Sequence, residues 1–436
     1  MPGLRRHLTL DAIRRLIAER CVAPSDQGLV GVEIELLTYP SSDPGLRARA
    51  ADLAAIAERT TLPAGSRITI EPGGQLEIST PPLPGLSQAL PAAAADLAAI
   101  SAALRDAGIE PVARGLDPLR APQRILDLPR YAAMEAYFDL EGFAGRTMMC
   151  STAAVQVNVS NGPAAGLADR WHLAHAVGPV LVAMFAHSPV PGGGGCGPRS
   201  ARQQVWSVMD PSRTAPAHGP VLGDDGPSAA GSPAEDWLRY ALAARVMMIR
   251  VTPDRFLPVH GPLGSEVFTF GAWMQRGHEL GWPTIEDFEY HLTTLFPPVR
   301  PKGWLELRML DTLPDPWWRV AAGVTTALLE DADAGAAALE AVSAPPRGTG
   351  VADHWRSAAR HGLSDPALRA AAQLVFPAAL DGLHRLGADR TTVIAAEDFH
   401  ERFVARGLCP ADDPAPIPEL EPAVVGCPEG ASPRWS

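Results

Sequence analysis

Lysine is almost missing from this chain: of its 37 basic residues only Lys302 is a lysine. A basic footprint is missing too, since 49 acids bring the formal net charge to -12. That balance argues against nucleic acid as a partner, because such binding rests on neutralising backbone phosphates. Cysteine is sparse: Cys21, Cys150, Cys196, Cys409 and Cys427 form no CxxC pair and no regular framework. Their spacing argues against a zinc knuckle or a disulfide scaffold and points to a reducing compartment, the cytoplasm. The weakly charged stretch 176–186 is too short to span a bilayer, and "MPGLRRHLTLDAIRRLIAERC" lacks the apolar segment of a signal peptide. No membrane role and no obligate protein partner is therefore expected. Disorder is excluded as well, because 46% apolar and 20% charged residues are the proportions of a globular protein.

What is present divides by position. Apolar residues at helical spacing predict helices over about 11–21, 46–58, 86–107, 129–138, 167–186, 234–242 and 285–295. More follow over about 317–329, 351–360, 366–386 and 397–406. Strands are confined to about 29–310, so the fold class is α+β, with residues 316–408 as a helical buttress. Residues 1–408 read as one domain and the proline-rich 409–436 as a tail. Stretches 189–198 and 219–233, rich in glycine and proline, read as surface loops.

Alternate residues of a strand face opposite sides, so each β segment sorts into two faces. In "LVGVEIELL" Val30, Val32, Ile34 and Leu36 oppose Glu33 and Glu35. "RITIE" and "QLEIS", joined by Pro-Gly-Gly, oppose Ile68, Ile70, Leu76 and Ile78 to Glu71, Gln75 and Glu77. "TAAVQVNVS" sets Gln156 and Asn158 against Val155, Val157 and Val159, and "WLELRML" sets Glu306 and Arg308 against Leu305, Leu307 and Met309. One reading of the polar face is a plain solvated surface. The charges on it, however, are mostly carboxylates. Two carboxylates about 5 Å apart repel by roughly 3 kcal/mol at an effective dielectric near 20. Gathering Glu33, Glu35, Glu71, Glu77 and Glu306 therefore calls for cations. An all-oxygen ligand set suits Mg2+, or Mn2+, better than zinc, and five acids suit two or three ions holding a nucleoside triphosphate.

These same segments resemble the glutamate-cysteine ligases of plants and of bacterial ergothioneine or glutathione biosynthesis. "GVEIE", "EPGGQLEIS" and "MMCSTAAVQVNVS" are similar to family motifs, as are "RQQVWSVMDPSRT" and "HLTTLFPPVRPKGWLELRMLD", in order from Gly31 to Asp311. The resemblance implies a glutamine-synthetase-like fold, a curved, mainly antiparallel β-sheet funnel packed by helices. It implies ATP-dependent ligation of glutamate to cysteine through a γ-glutamyl phosphate, with glutamate, cysteine and ATP as the partners.

Carried over by residue, Glu33, Glu35, Glu71, Glu77, Gln156 and Glu306 correspond to the metal positions. Arg202 and Arg308 are the catalytic candidates, for the α-carboxylate of glutamate or the γ-phosphoryl group. Arg213, Arg300 and Lys302 are candidates for nucleotide phosphates, and Asn158 for substrate. His291, Cys150 and "GGGGCG" read as structural helix, core and loop. The sequence departs from the family at Ser160, which replaces an acid, and at Ser151, which replaces an arginine of the plant enzymes. Those departures leave the amine acceptor open: another amine, or a non-catalytic nucleotide- or metal-binding relative, are the alternatives.

Overall fold

Strand β1 (Leu29–Pro40) organises the architecture. In the computed structural model, which describes residues 8–140, 142–190, 197–218, 232–259, 267–342 and 350–413, most other strands build outward from it. They are β2 (Arg67–Ile70), β3 (Leu76–Ser79), β4 (Leu83–Pro84), β5 (Ile109–Val112), β6 (Ala154–Ser160), β7 (Met248–Thr252), β8 (Arg255–Pro258), β9 (Val299–Pro301) and β10 (Trp304–Asp311). The main sheet runs β2-β3-β1-β6-β10-β9, with β4 and β5 also paired to β1, and every pairing is antiparallel. Strands β7 and β8 form a separate hairpin. The sheet is open, and its mixture with helices is the α+β class expected.

Hydrophobic burial fixes which way the sheet faces. Val30, Val32, Ile34, Leu76, Ile78, Val155, Val157, Val159, Leu305 and Leu307 are all buried together in one core. Helices Leu86–Asp106, Gly178–Met184 and Trp317–Glu330 pack against β1, β10 and β6 respectively. Each such side chain removed from water contributes about 1.5–3 kcal/mol, so a one-residue slip of any strand would forfeit several of them at once. Helix Leu86–Asp106 is long and apolar enough to cross a membrane, the one such helix among the described residues. Here its Ala89, Leu90, Ala93, Ile100 and Leu104 are buried against strands and Trp317–Glu330.

Behind the sheet, Ala332–Val342, Pro366–Arg385 and Arg390–Arg402 pack on Trp317–Glu330 and form the helical buttress. Local chemistry sets their starts: Asp365 accepts from the amides of Ala367 and Leu368, and Asp389 from that of Thr392.

Several boundaries differ from expectation. The helix foreseen over 167–186 is two, Leu167–Ala176 and Gly178–Met184, because Pro179 in the first turn of the second has no N–H to continue the ladder of the first. Helices Ala144–Ser151, Ala201–Val208 and Ala332–Val342 were not foreseen. The chain does not loosen at Cys409: that side chain is buried, and the Ala411 amide donates to the Ala186 carbonyl at 2.9 Å. The rest of the expected tail, 414–436, and most of the two expected loops lie outside the described residues.

Candidate active site

Register decides which polar side chains meet. Antiparallel pairing puts Glu33 opposite Gln156, Glu35 opposite Glu77, and Glu306 opposite both Asn158 and Arg300. All lie on the face of the sheet away from the helical core. The apolar alternation is what aims them: with Val32 and Ile34 buried, Glu33 and Glu35 have no other side to occupy.

Glu71 and Glu77 arrive through the turn between β2 and β3, and that turn is docked rather than free. The Glu71 amide donates to the Gln75 carbonyl at 2.8 Å. Arg47 Nη1 donates to the Gly73 carbonyl at 2.9 Å, and Gln75 Nε2 donates to the Thr152 carbonyl at 2.8 Å. Gly74 has φ +92, and a Cβ on Gly73 would lie 2.1 Å from the Cys150 carbonyl oxygen, so backbone approaches backbone as only glycine allows. Gln75, grouped by alternation with the polar face, instead anchors the turn to the segment before β6.

Among the carboxylates, hydrogen bonds are already specific. Asn158 Nδ2 donates to Glu33 at 3.0 Å, and Gln156 Nε2 donates to Glu35 at 3.0 Å, where the Ala154 amide also donates at 2.8 Å. Thr69 and Ser79 hydroxyls donate to Glu77 at 2.9 and 3.1 Å. Burial, then the charges of Glu306 and Glu77, push Glu33 up to about 7. Burial, then Glu77 and Glu71, push Glu35 up to about 8; burial, then Glu77, push Glu71 up to about 7. This is the signature of like charges gathered out of water.

Glu306 is different. Burial alone would raise it, but Arg300, Arg308 and Lys302 overcome that and hold it far below the usual carboxylate range. Arg300 Nε lies 2.5 Å, Lys302 Nζ 2.9 Å and Arg308 Nη1 3.0 Å from its oxygens. Glu306 thus stands as the shared counter-ion of three cations. Gln156 bridges the two groups: its Nε2 serves Glu35 while its Oε1 accepts from Arg308 Nη1 at 2.5 Å. Among the described residues no three His, Cys, Asp or Glu side chains converge as a metal-binding group. The remaining acids, Glu33, Glu35, Glu71 and Glu77, nonetheless fit a hard divalent cation, being oxygen donors whose mutual repulsion a cation would relieve.

The other cations divide in two. Arg202, 2% exposed, starts helix Ala201–Val208 and donates from Nη2 to the Arg308 carbonyl at 2.8 Å. Asp311 fixes that helix: it accepts from Ser188 Oγ at 2.6 Å, Ser200 Oγ at 2.9 Å and the His187 amide at 2.9 Å, and Ser200 caps the helix. Arg213 is a correction. Its guanidinium is fully buried, and its five donors are taken by Asp210 at 2.7 Å, the Thr294 and Arg245 carbonyls at 2.8 Å, the Tyr137 hydroxyl at 3.2 Å and the Thr294 hydroxyl at 3.4 Å. His291 and Cys150 are structural, as read: His291 is buried against the Ala241 carbonyl, and burial pushes the Cys150 thiol up to about 11.

Sequence reasoning missed Asp311 and Trp206, whose ring centre lies 5.6 Å from the Arg202 guanidinium carbon. Trp206 carried a signal, since "RQQVW" places it four residues after Arg202 on one helical face.

The open antiparallel sheet thus carries one acidic face edged by arginines and Lys302. Glutamate-cysteine ligase family 2 (GCS2) matches residues 29–416, and the chain belongs to that family. It is 42% identical over 398 residues to glutamate-cysteine ligase EgtA of Mycolicibacterium smegmatis, covering 88% of this chain and 89% of that protein. To EgtA of Mycobacterium tuberculosis H37Rv it is 40% identical over 409 residues, covering 92% and 89%. A bifunctional glutathione synthetase structure from Pasteurella multocida aligns with TM-score 0.45 and 14% identity, covering 86% of this chain and 48% of that one.

Proposed function

We propose that this protein ligates the γ-carboxylate of L-glutamate to the amine of L-cysteine with cleavage of ATP to ADP and phosphate. The product, γ-glutamylcysteine, would serve ergothioneine biosynthesis in the cytoplasm, as the likeness to the EgtA ligases supports. The observation that carries the reading is the register of β3, β1, β6 and β10, which lines up Glu33, Glu35 and Glu77 beside a cluster of cations, with Glu71 brought in by the β2–β3 turn. The curved funnel of the glutamine-synthetase type is the fold within which we read this sheet.

A carboxylate oxygen of glutamate attacks the γ-phosphorus of ATP, and ADP leaves. The cysteine amine then attacks the acyl carbon, loses a proton and expels phosphate. Phosphoryl transfer asks mainly for positioning and charge neutralisation. Glu33, Glu35, Glu71 and Glu77 would hold Mg2+ ions, which supply charge neutralisation to the nucleotide phosphates. Lys302 is 39% exposed along its side chain and carries three donors, so it can reach a phosphate while keeping Glu306. Arg300, turned toward Glu306, holds the carboxylate that positions Lys302 and Arg308. Arg202 and Arg308 face the amino-acid substrate. Trp304 Nε1 holds the Asn158 amide at 2.8 Å, and Asn158 in turn orients Glu33.

The test is phosphate release from ATP and Mg2+ with glutamate, with and without cysteine, together with detection of γ-glutamylcysteine. Release that depends on both amino acids supports the reading. Equal release with another amine overturns the choice of acceptor, and no turnover under any condition overturns the enzyme.

A further inference from the structure

Each backbone carbonyl of the turn formed by Pro72, Gly73 and Gly74 is held from outside the hairpin. The Ile125 amide donates to Pro72 at 2.7 Å, the buried Thr38 hydroxyl donates to Gly74 at 2.7 Å, and Arg47 Nη1 donates to Gly73 at 2.9 Å. Of these three donors only Arg47 is charged. It comes from the segment between β1 and helix Ala50–Arg59, and it reaches two further carbonyls. Nη1 also donates to Cys150, 3.3 Å away in the last turn of helix Ala144–Ser151, and Nη2 donates to Ala121 at 2.7 Å. The carbonyls at a helix end lack partners within the helix, so one donor closes that helix and the turn together.

No carboxylate pairs with Arg47 among the described residues: its partners are carbonyls alone. Burial, then the charge of Arg120, disfavour its charged form, and Asp117, the acid whose charge it feels, is engaged by Arg120 at 2.7 Å. A guanidinium kept half-buried under those conditions must answer another force. That force acts on Glu71, which directly precedes the turn. The charges of Glu77 and Glu33 act against Glu71 and push the tip of the hairpin away from the acidic face while no cation is bound. Gly73 and Gly74 offer no side chain to anchor the tip, so only its carbonyls can be gripped. A hydrogen bond from an ionised donor is roughly twice as strong as a neutral one, which suits Arg47 to that task.

We propose that Arg47 is a positioning residue: it clamps the β2–β3 turn against the mutual repulsion of the carboxylates, so that Glu71 is in place before a divalent cation arrives. The inference rests on the reading of the acidic face as a cation site and deepens it. Preorganisation of that site falls to a side chain that acts through the backbone alone.

The test is binding of Mn2+ to the whole protein, without ATP or amino acids, followed by water-proton relaxation. Arg47→Ala should weaken Mn2+ about tenfold, with urea denaturation showing that the variant is folded. Guanidinium ion, added below its denaturing range, should bring the affinity back to within about threefold of the parent, because it fits the vacated place between the carbonyls. Arg47→Lys keeps a cation near Gly73 and Cys150 but lacks the fork that spans to Ala121, so it should lose about threefold. It carries the test if the alanine variant does not fold. Hydrogen exchange over 71–76 in the metal-free protein should quicken in Arg47→Ala and return toward the parent rate when Glu71→Gln is added, since repulsion is what opens the turn. Unchanged Mn2+ affinity in whichever variant folds, or fast exchange that persists with Glu71→Gln, would overturn the proposal. Failure of the parent itself to bind Mn2+ would overturn the reading of the acidic face instead, so the two failures are told apart.

Discussion

Glu71 shows most plainly how one residue trades stability for use. No protein donor reaches its side chain among the described residues, and it lies in the field of Glu77. Glu71→Gln should therefore raise the stability of the metal-free protein at pH 8 by on the order of 1 kcal/mol, because repulsion is relieved. The same change should lower turnover at least about 100-fold by removing a ligand for cation. Paired melting curves and phosphate-release assays check both signs; a destabilised variant with normal turnover would refute this role. His291 carries the clearest pH dependence. Burial, then the Arg213 charge, lower it to about 3, whereas an unfolded histidine titrates near 6.5. Its folded pKa is depressed, so its contribution is intact above about pH 6.5 and is lost as pH falls toward 3. By pH 5 the loss is about 2 kcal/mol. Gln keeps an N–H for the Ala241 carbonyl without this liability. The stability gap between the parent and His291→Gln should thus narrow by about 2 kcal/mol from pH 7.5 to pH 5 in urea denaturation.

At the scale of elements, the turn between β2 and β3 and the start of helix Ala201–Val208 are the two fittings on which the site depends. Gly73→Ala drives a Cβ into the Cys150 carbonyl, so the turn must move and carry Glu71 with it. Turnover should fall more than about 100-fold, and hydrogen exchange should show loosening confined to the turn and the segment 149–152. Asp311→Ala strips acceptors from Ser188, Ser200 and the His187 amide at once. A loss of about 3 kcal/mol or more is expected in chemical denaturation, since three buried donors lose their partner.

These fittings also mark where the sequence stopped being readable. Alternation in "GVEIE" and "VQVNV" was enough to place Glu33, Glu35, Gln156 and Asn158 on one face, because burial of the intervening valines and isoleucines enforces it. In β10 alternation held for Leu305, Leu307 and Met309 against Glu306 and Arg308, but it did not show the bulge that follows. The register shifts between Leu307 and Leu310, so Leu310, not Met309, comes opposite Val155. The triple pairing of Glu306 was hidden for a related reason: Arg300 becomes its neighbour only through the β9-β10 pairing, which no local pattern encodes. Arg213 looked like a nucleotide ligand since motif position says nothing of burial.

For the whole molecule, the account joins two opposed faces of one sheet: an apolar one that the buttress of helices covers, and an acidic one that resists assembly until cations and substrates arrive. It predicts that the metal-free protein gains stability from Mg2+, and more from Mg2+ with ATP, as ligands that bind only the folded state must give. The most direct measurement of the central claim follows oxygen. With both γ-carboxylate oxygens of glutamate labelled as 18O, attack on ATP carries one into the acyl phosphate, and the amine's displacement leaves it in the released phosphate. One 18O per phosphate, formed only when cysteine is present to yield γ-glutamylcysteine, is the predicted result; unlabelled phosphate, or phosphate without the amide, would contradict it.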